Sequence, residues 1–434
     1  MTKIRSQEEK GIFQRSEGKN ILQNITHFGI YQIISYLVPL ITIPYILRVI
    51  GVEKFGVISF ALALIYYFRI IVEYGFSITG VQMIAQNPSN PQKQSKIVCN
   101  VITIQLIISI ICALVLTLLI IFIKRINFSK MVYIYTYGIV FGNIFLFLWF
   151  YIGSEKIKYL NVISSISKLI YIILILLLVK TEKDFIYIPM INSGTLLLAG
   201  IASMIILRYR FNIRFVRPDI RELIKYLKEG WYVFISNIGM NLYRNTNIII
   251  LGVLASDALV GIYSAGEKLI KAVQNMLSPI TQTLYPYVSR MKVQNPKRLL
   301  YIFRYIIIIM SIIGGLLSLL TIGLAPTIAR LIMGTTDKSL VLILRYASMV
   351  IMFGGINYVV GIIFMTNFNL KKEFSKSVII VGVVNIIICF ILTYFWKTVG
   401  TSISLTLSEM ILLLLMTFYI YKLRNRWLIL DKSI

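Results

Sequence analysis

Acidic residues are scarce in this chain: 17 Asp and Glu stand against 44 Lys and Arg in 434 residues. Charge of either sign makes up only 14% of it, against about 25% in an ordinary soluble domain. There is one histidine, and His27 has no ligand partners nearby, which argues against a metal site. Cys99, Cys112 and Cys389 lie in apolar stretches without pairing or zinc spacing, so neither disulfides nor a structural metal is expected. No HExxH or GxSxG motif occurs. Gly261–Lys268 (GIYSAGEK) looks superficially like a phosphate-binding loop. It has Glu267 where that motif needs Lys, and it falls inside an apolar segment, so nucleotide binding is rejected. No cofactor is expected, and no nucleic acid, because the net charge of +27 is spread over short connections rather than gathered on one surface.

What the chain has is apolar length. Hydrophobic residues make up 58% of it and its mean hydropathy is +0.82. Taking about 20 mostly apolar residues per crossing, the sequence predicts spans near 27–50, 55–83, 97–123, 131–153, 159–179, 185–207, 231–253, 258–288, 299–325, 338–366, 377–396 and 399–421. Pro39 and Pro44 are expected to interrupt the first span, and Pro279 the eighth. The polar start of the chain lacks the pattern of a cleaved signal peptide. If it lies in the cytoplasm, 27 of the 44 cationic residues fall on that side and 10 on the other, which satisfies the positive-inside rule. The expectation is an all-α polytopic membrane protein with both termini cytoplasmic. Its parts are a cytoplasmic segment 1–26, a six-helix bundle 27–207, a basic connector 208–230, a second six-helix bundle 231–421 and a tail 422–434. Six helices per half suggest two bundles related by a pseudo-twofold axis along the membrane normal. A weak internal repeat agrees: Gly56-Val57-Ile58-Ser59 and Gly261-Ile262-Tyr263-Ser264 open the second span of each half.

Apart from Arg48 and Lys338 at span ends, seven cations lie inside these spans: Arg69, Lys168, Arg244, Lys268, Lys271, Arg304 and Arg345. Only Glu73, Glu267 and Glu409 share those depths. Each charge at mid-bilayer costs about 2.5–3.5 kcal/mol on insertion scales, so an interior cavity is the expected location. Helical spacing puts Tyr66, Arg69, Glu73 and Ser77 on one stripe, and Asn237, Asn241, Arg244 and Asn245 on another. A third holds Tyr263, Glu267, Lys271 and Asn275. Isolated Asn and Ser in such stripes serve more often as helix–helix glue. Arg69 with Glu73, and Glu267 with Lys271, are spaced to neutralise each other. Arg304 is near enough to a helix end to reach the interface, and Lys268 points off its stripe. Lys168, Arg244 and Arg345 have no local acid, and a bound anion accounts for them best.

The stretch Pro39–Gly80 (PLITIPYILRVIGVEKFGVISFALALIYYFRIIVEYGFSITG) resembles the opening of the Wzx-type polysaccharide flippases, of the multidrug/oligosaccharidyl-lipid/polysaccharide exporter superfamily. Leu251–Gly252, Val260–Leu269 (VGIYSAGEKL) and Leu284–Arg290 (LYPYVSR) resemble its second half in the same order. The resemblance implies a transporter of the bacterial inner membrane, not an enzyme. Its cargo would be undecaprenyl-pyrophosphate-linked repeat units for O-antigen, capsule or lipopolysaccharide. Its partners would be that anionic lipid-linked oligosaccharide, the membrane lipids and the polysaccharide polymerase machinery. On this reading Arg69, Lys168, Arg244, Lys271 and Arg345 hold the pyrophosphate, and Tyr66, Tyr263 and Asn241 contact sugars. An ion gradient or the membrane potential drives transport, with Glu73, Glu267 and Glu409 as coupling candidates. The sequence departs from the family at Asn247, five residues before Gly252, where relatives carry Asp. Two alternatives stay open: a multidrug-type exporter of the same superfamily, and a membrane polysaccharide polymerase or ligase.

Overall fold

The computed structural model describes the backbone of residues 2–88, 90–294 and 296–423. Side chains are described for these except residues 2–28, 30, 236, 239–244, 282, 286, 292–298 and 300. Among the described residues there are helices and connections and no strand. The helices are α1 (Thr2–Glu73), α2 (Phe76–Ala85), α3 (Pro91–Phe122), α4 (Lys124–Phe128), α5 (Lys130–Leu146), α6 (Leu148–Gly153), α7 (Ile157–Leu178) and α8 (Tyr187–Arg210). After the connector come α9 (Ile220–Leu254), α10 (Asp257–Asn275), α11 (Ser278–Gln294), α12 (Pro296–Met333), α13 (Lys338–Ala347), α14 (Met349–Asn357) and α15 (Lys371–Lys422). A π-helical stretch, Tyr358–Met365, follows α14.

Among the described residues, eight stretches are long and apolar enough to cross a membrane. Two of them are helix pairs joined at a kink, broken in α1 at Gly51 (φ 77°) and in α15 at Lys397 (φ 47°). The eight therefore account for ten of the twelve predicted spans. The other two predicted spans coincide with α9 and with α10–α11, which carry more polar residues. The breaks refine the sequence reading. Pro39 and Pro44 do not interrupt the first span: the helix continues through both and turns at Gly51, whose missing Cβ permits the left-handed backbone. The eighth span does break near Pro279, which lies in the first turn of α11, where a missing N–H costs nothing.

The chain forms two compact units that interleave along the sequence. Unit one is Met1–Val38, Phe68–Leu178 and Tyr187–Val233; unit two is Pro39–Tyr67, Val179–Ile186 and Phe234–Ile434. In unit one, serines and tyrosines bridge helices through backbone carbonyls. Ser203 Oγ donates to Leu146 O (3.0 Å), Ser167 Oγ to Thr195 O (2.9 Å) and Tyr137 OH to Ser109 O (2.5 Å). Such bonds average about 0.6 kcal/mol each in membranes, the glue expected of isolated polar residues. The extended connector after α8 is fastened to α3. Arg214 N donates to Ser95 Oγ (2.9 Å), Val216 N to Cys99 Sγ (3.2 Å) and Asp219 N to Asn100 Oδ1 (3.1 Å). Asn100 Nδ2 in turn reaches Glu222 Oε2 at 2.5 Å.

In unit two the glycines of the internal repeat meet. A methyl group on Gly56 would collide with the Asp257 carbonyl, and one on Gly261 with the Val52 carbonyl. The two backbones thus approach as only glycine allows. Connections on one side of the fold are tied together within this unit: Tyr45 OH donates to Val179 O (2.7 Å), and the Lys54 ammonium stands 5.3 Å from the Phe185 ring centre.

Candidate functional site

Each unit holds a polar cavity among its spans. That of unit one, about 130 Å³, is lined by Arg69 and Glu73 of α1, Ser77 of α2 beyond the break at Tyr74 and Gly75, Gln105 of α3, Asn143 of α5 and Trp149 of α6. The left-handed backbone at Phe147 (φ 51°) separates α5 from α6, so Asn143 and Trp149 come from two successive helices. Gln105 Oε1 and Trp149 Nε1 are buried without a hydrogen-bond partner among the described residues, an arrangement that a polar occupant of the cavity would relieve.

The cavity of unit two is about 280 Å³ and includes Tyr66, Lys271, Glu409, Asn245, Asn275 and Tyr358. Glu409 lines it and Glu267 lies behind Lys271; each has a partner at one oxygen, while Glu267 Oε2 and Asn357 Oδ1 are buried without a hydrogen-bond partner among the described residues. Lys271 Nζ lies 2.5 Å from Glu267 Oε1, whose side chain is 3% exposed against 33% for the lysine. Glu409 Oε2 accepts from Asn357 Nδ2 at 2.6 Å. Tyr358 OH donates to Asn275 Oδ1 (3.1 Å), and its place on the π-helical stretch widens the turn beside the cavity. π-bulges of this kind often mark functional sites.

The structure thus brings together Arg69 with Glu73, and Tyr66 with Lys271 and Glu409. Lys168 lines neither cavity. Its ammonium donates to Ser35 Oγ (2.5 Å) and lies 4.0 Å from the Tyr31 ring centre, so neutral groups of the first span serve it. Arg345 is exposed and lines neither cavity. Tyr263 is fully buried. Its hydroxyl accepts from Asn247 Nδ2 (3.5 Å), while Asn247 Oδ1 accepts from Asn385 Nδ2 (2.9 Å) and Asn385 Oδ1 from Ser408 Oγ (2.6 Å). Asn247 therefore both donates and accepts in a neutral chain of bonds, which a carboxylate could not do. The side chains of Arg244 and Asn241 lie outside the described residues. Lys268 sits over the Phe55 ring at 4.9 Å, and Arg304 is exposed, as a residue reaching for the interface would be.

Sequence reasoning missed Gln105, Asn143, Trp149 and Asn357. The first two were visible as single polar residues in apolar runs. Trp149 carried no such signal, since a membrane tryptophan is as much at home against lipid.

The fold is that of a multi-pass membrane transporter. A solved structure of the lipid II flippase MurJ in an inward closed conformation matches it with a TM-score of 0.74 at 15% identity, over 92% of this chain and 87% of that one. An inward-facing multidrug resistance MATE family transporter matches at 0.66 with 12% identity, over 90% and 99%. Sequence narrows the class. The model of the polysaccharide biosynthesis protein family matches residues 21–292, and the chain belongs to that family. A relative from Escherichia coli strain K12, provisionally described as an O-antigen transporter, is 30% identical over 92% of this chain and 97% of its own length. A second, from Shigella dysenteriae and described in the same way, is 25% identical over 88% and 95%.

Proposed function

We propose that the protein is a flippase that moves undecaprenyl-pyrophosphate-linked oligosaccharide repeat units from the cytoplasmic to the outer leaflet, for O-antigen, capsule or a related surface polysaccharide. The observation that carries this reading is Arg69 in a polar cavity among apolar spans, beside two buried groups that lack partners. A guanidinium in a restricted polar space is suited to bidentate engagement of phosphate oxygens. The relatives described as O-antigen transporters support the cargo class. Lys271 and Tyr66 give unit two a cation and an aromatic hydroxyl for the same headgroup and its sugars. Alternating access exposes the cavities to each side in turn. Both termini face the cytoplasm, which is the negative side. A pyrophosphate diester carries about two negative charges, and each gains up to about 2.3 kcal/mol per 100 mV on moving outward. Glu73 and Glu409, as cavity carboxylates, are the proposed coupling acids. Glu267 is better suited to holding Lys271.

The test is export in a strain lacking its own flippase, complemented with this chain or with Arg69→Gln. Surface glycan is read on gels and membrane abundance by immunoblot. The expected result is at least a tenfold loss of glycan at unchanged abundance. Full glycan from Arg69→Gln would remove the cationic-headgroup reading.

A further inference from the structure

Unit one carries another, larger cavity of about 620 Å³, away from the span residues just described. Three separated pieces of chain wall it: the turn after α2, the α6–α7 connection and the end of α8. All three belong to the side that the positive-inside rule assigns to the cytoplasm, so the cavity stands at the level of the membrane surface. Lys156, Lys158 and Arg210 line it, with Glu155 the one carboxylate among its wall residues. None of the three cations is ion-paired among the described residues.

Tyr159 engages two of these cations. Arg210 Nε donates to Tyr159 OH at 3.3 Å, and the Lys158 ammonium lies 5.5 Å from the Tyr159 ring centre. Behind them, Phe211 meets Phe150 (5.2 Å), Tyr151 (6.0 Å) and Tyr159 (5.9 Å) edge to face. Phe150 and Tyr151 have no exposed surface, so this backing is firm. The left-handed backbone at Glu155 (φ 58°) marks a tight turn, closed by Lys156 N donating to Tyr151 O at 2.9 Å. Three like charges gathered on a fixed wall repel one another, and a bound anion offsets that cost. The volume falls within the 300–1,000 Å³ usual for small-ligand sites. Basic pockets between spans on the cytoplasmic side are where acidic lipid headgroups bind. Ile152, which is 38% exposed, lies on the helix leading into the same connection.

We propose that this cavity binds a phosphate ester at the cytoplasmic membrane surface, the headgroup of an anionic phospholipid. Lys158 and Arg210 clamp the phosphate and Lys156 closes the rim. This assignment stands independently of the glycan cargo.

The experiment is native mass spectrometry of the purified full chain in detergent, titrated with cardiolipin, with phosphatidylcholine and, in a separate arm, with inorganic pyrophosphate. Wild type is expected to retain cardiolipin about tenfold better than phosphatidylcholine. Retention should fall about fivefold for each charge removed in Lys158→Gln and Arg210→Gln, and should be unchanged in Arg217→Gln, an exposed connector cation outside the cavity. Pyrophosphate that binds alone and displaces cardiolipin supports the phosphate site but makes its source a soluble anion. Cardiolipin binding that pyrophosphate leaves intact supports the membrane headgroup. Equal cardiolipin retention in wild type and both cavity variants overturns the proposal, as does an equal fall in Arg217→Gln. If Arg210→Gln fails to give a monodisperse protein, Lys156→Gln, on the exposed rim, replaces it.

Discussion

The two span cavities each set a cation against carboxylates, but they do so differently. In unit one, Arg69 and Glu73 open together onto one small space. In unit two, Lys271 rests on Glu267, which is sunk behind it, while Glu409 faces the cavity and is held by Asn357. The ammonium of unit two thus arrives with its own buried counter-ion and acts as a tempered point charge. The arginine of unit one has the planar fork that suits phosphate geometry. On the proposed function, the first cavity is the one assigned to recognising phosphate and the second the one assigned to coupling.

The largest expected effect breaks the unit-two arrangement. Lys271→Gln leaves Glu267 buried without its cation, which should cost about 3–5 kcal/mol of stability. The double variant with Glu267→Gln should recover most of this. Thermal unfolding of the purified protein reads both, and a double variant no better than Lys271→Gln would show that the pair is not coupled. Next comes a chemical exchange between the cavities. Arg69→Lys keeps the charge but loses the fork, so export should drop about tenfold, whereas Lys271→Arg should lose less than threefold, each about the scale of one charge-assisted bond or less. Equal losses would abolish the distinction. Third, Glu409→Gln keeps an acceptor for Asn357 but cannot titrate. It should flatten the pH dependence of export in vesicles while leaving its maximum within about twofold. An unaltered profile would take Glu409 off the coupling list.

The smallest effect is a reference outside both cavities. Asp184, in the turn before α8, accepts from Lys180 N (3.0 Å) and from Thr181 N (2.8 Å) and Oγ1 (2.9 Å). These bonds, the Lys180 amide first, hold its carboxyl below the usual 3.8. A depressed pKa means that the stabilisation is full above 3.8 and fades as pH falls through the lower folded value. Asp184→Asn should therefore melt slightly below wild type at neutral pH, and the two curves should converge under acid. Divergence on acidification would refute the assignment.

How much of this was legible beforehand differs by feature. The spans were, because each needs only its own run of apolar residues. The kinks were not, because a proline inside a helix need not end it, and Gly51 acts through backbone freedom that no hydropathy pattern records. The repeat glycines were visible as a motif, and the structure adds that they touch. Arg69 and Glu73 were legible as a pair because one helix carries both. Their neighbours Gln105, Asn143 and Trp149 come from other helices, and only packing brings them in. Tyr263 shows the limit of periodicity. Its spacing put it on the face of Lys271, but spacing does not say whether a face opens on a cavity or on another helix, and here it meets Asn247.

The stitching of the connector onto α3 bears on how the protein can be handled. By composition, residues 211–219 look like the natural place to cut the chain or insert a reporter. Three of their amides are occupied by Ser95, Cys99 and Asn100, so an insertion there would pull on a spanning helix rather than hang free. Those amides should exchange with deuterium far more slowly than the missing secondary structure suggests. The segment that looks most like a hinge is, mechanically, a seam.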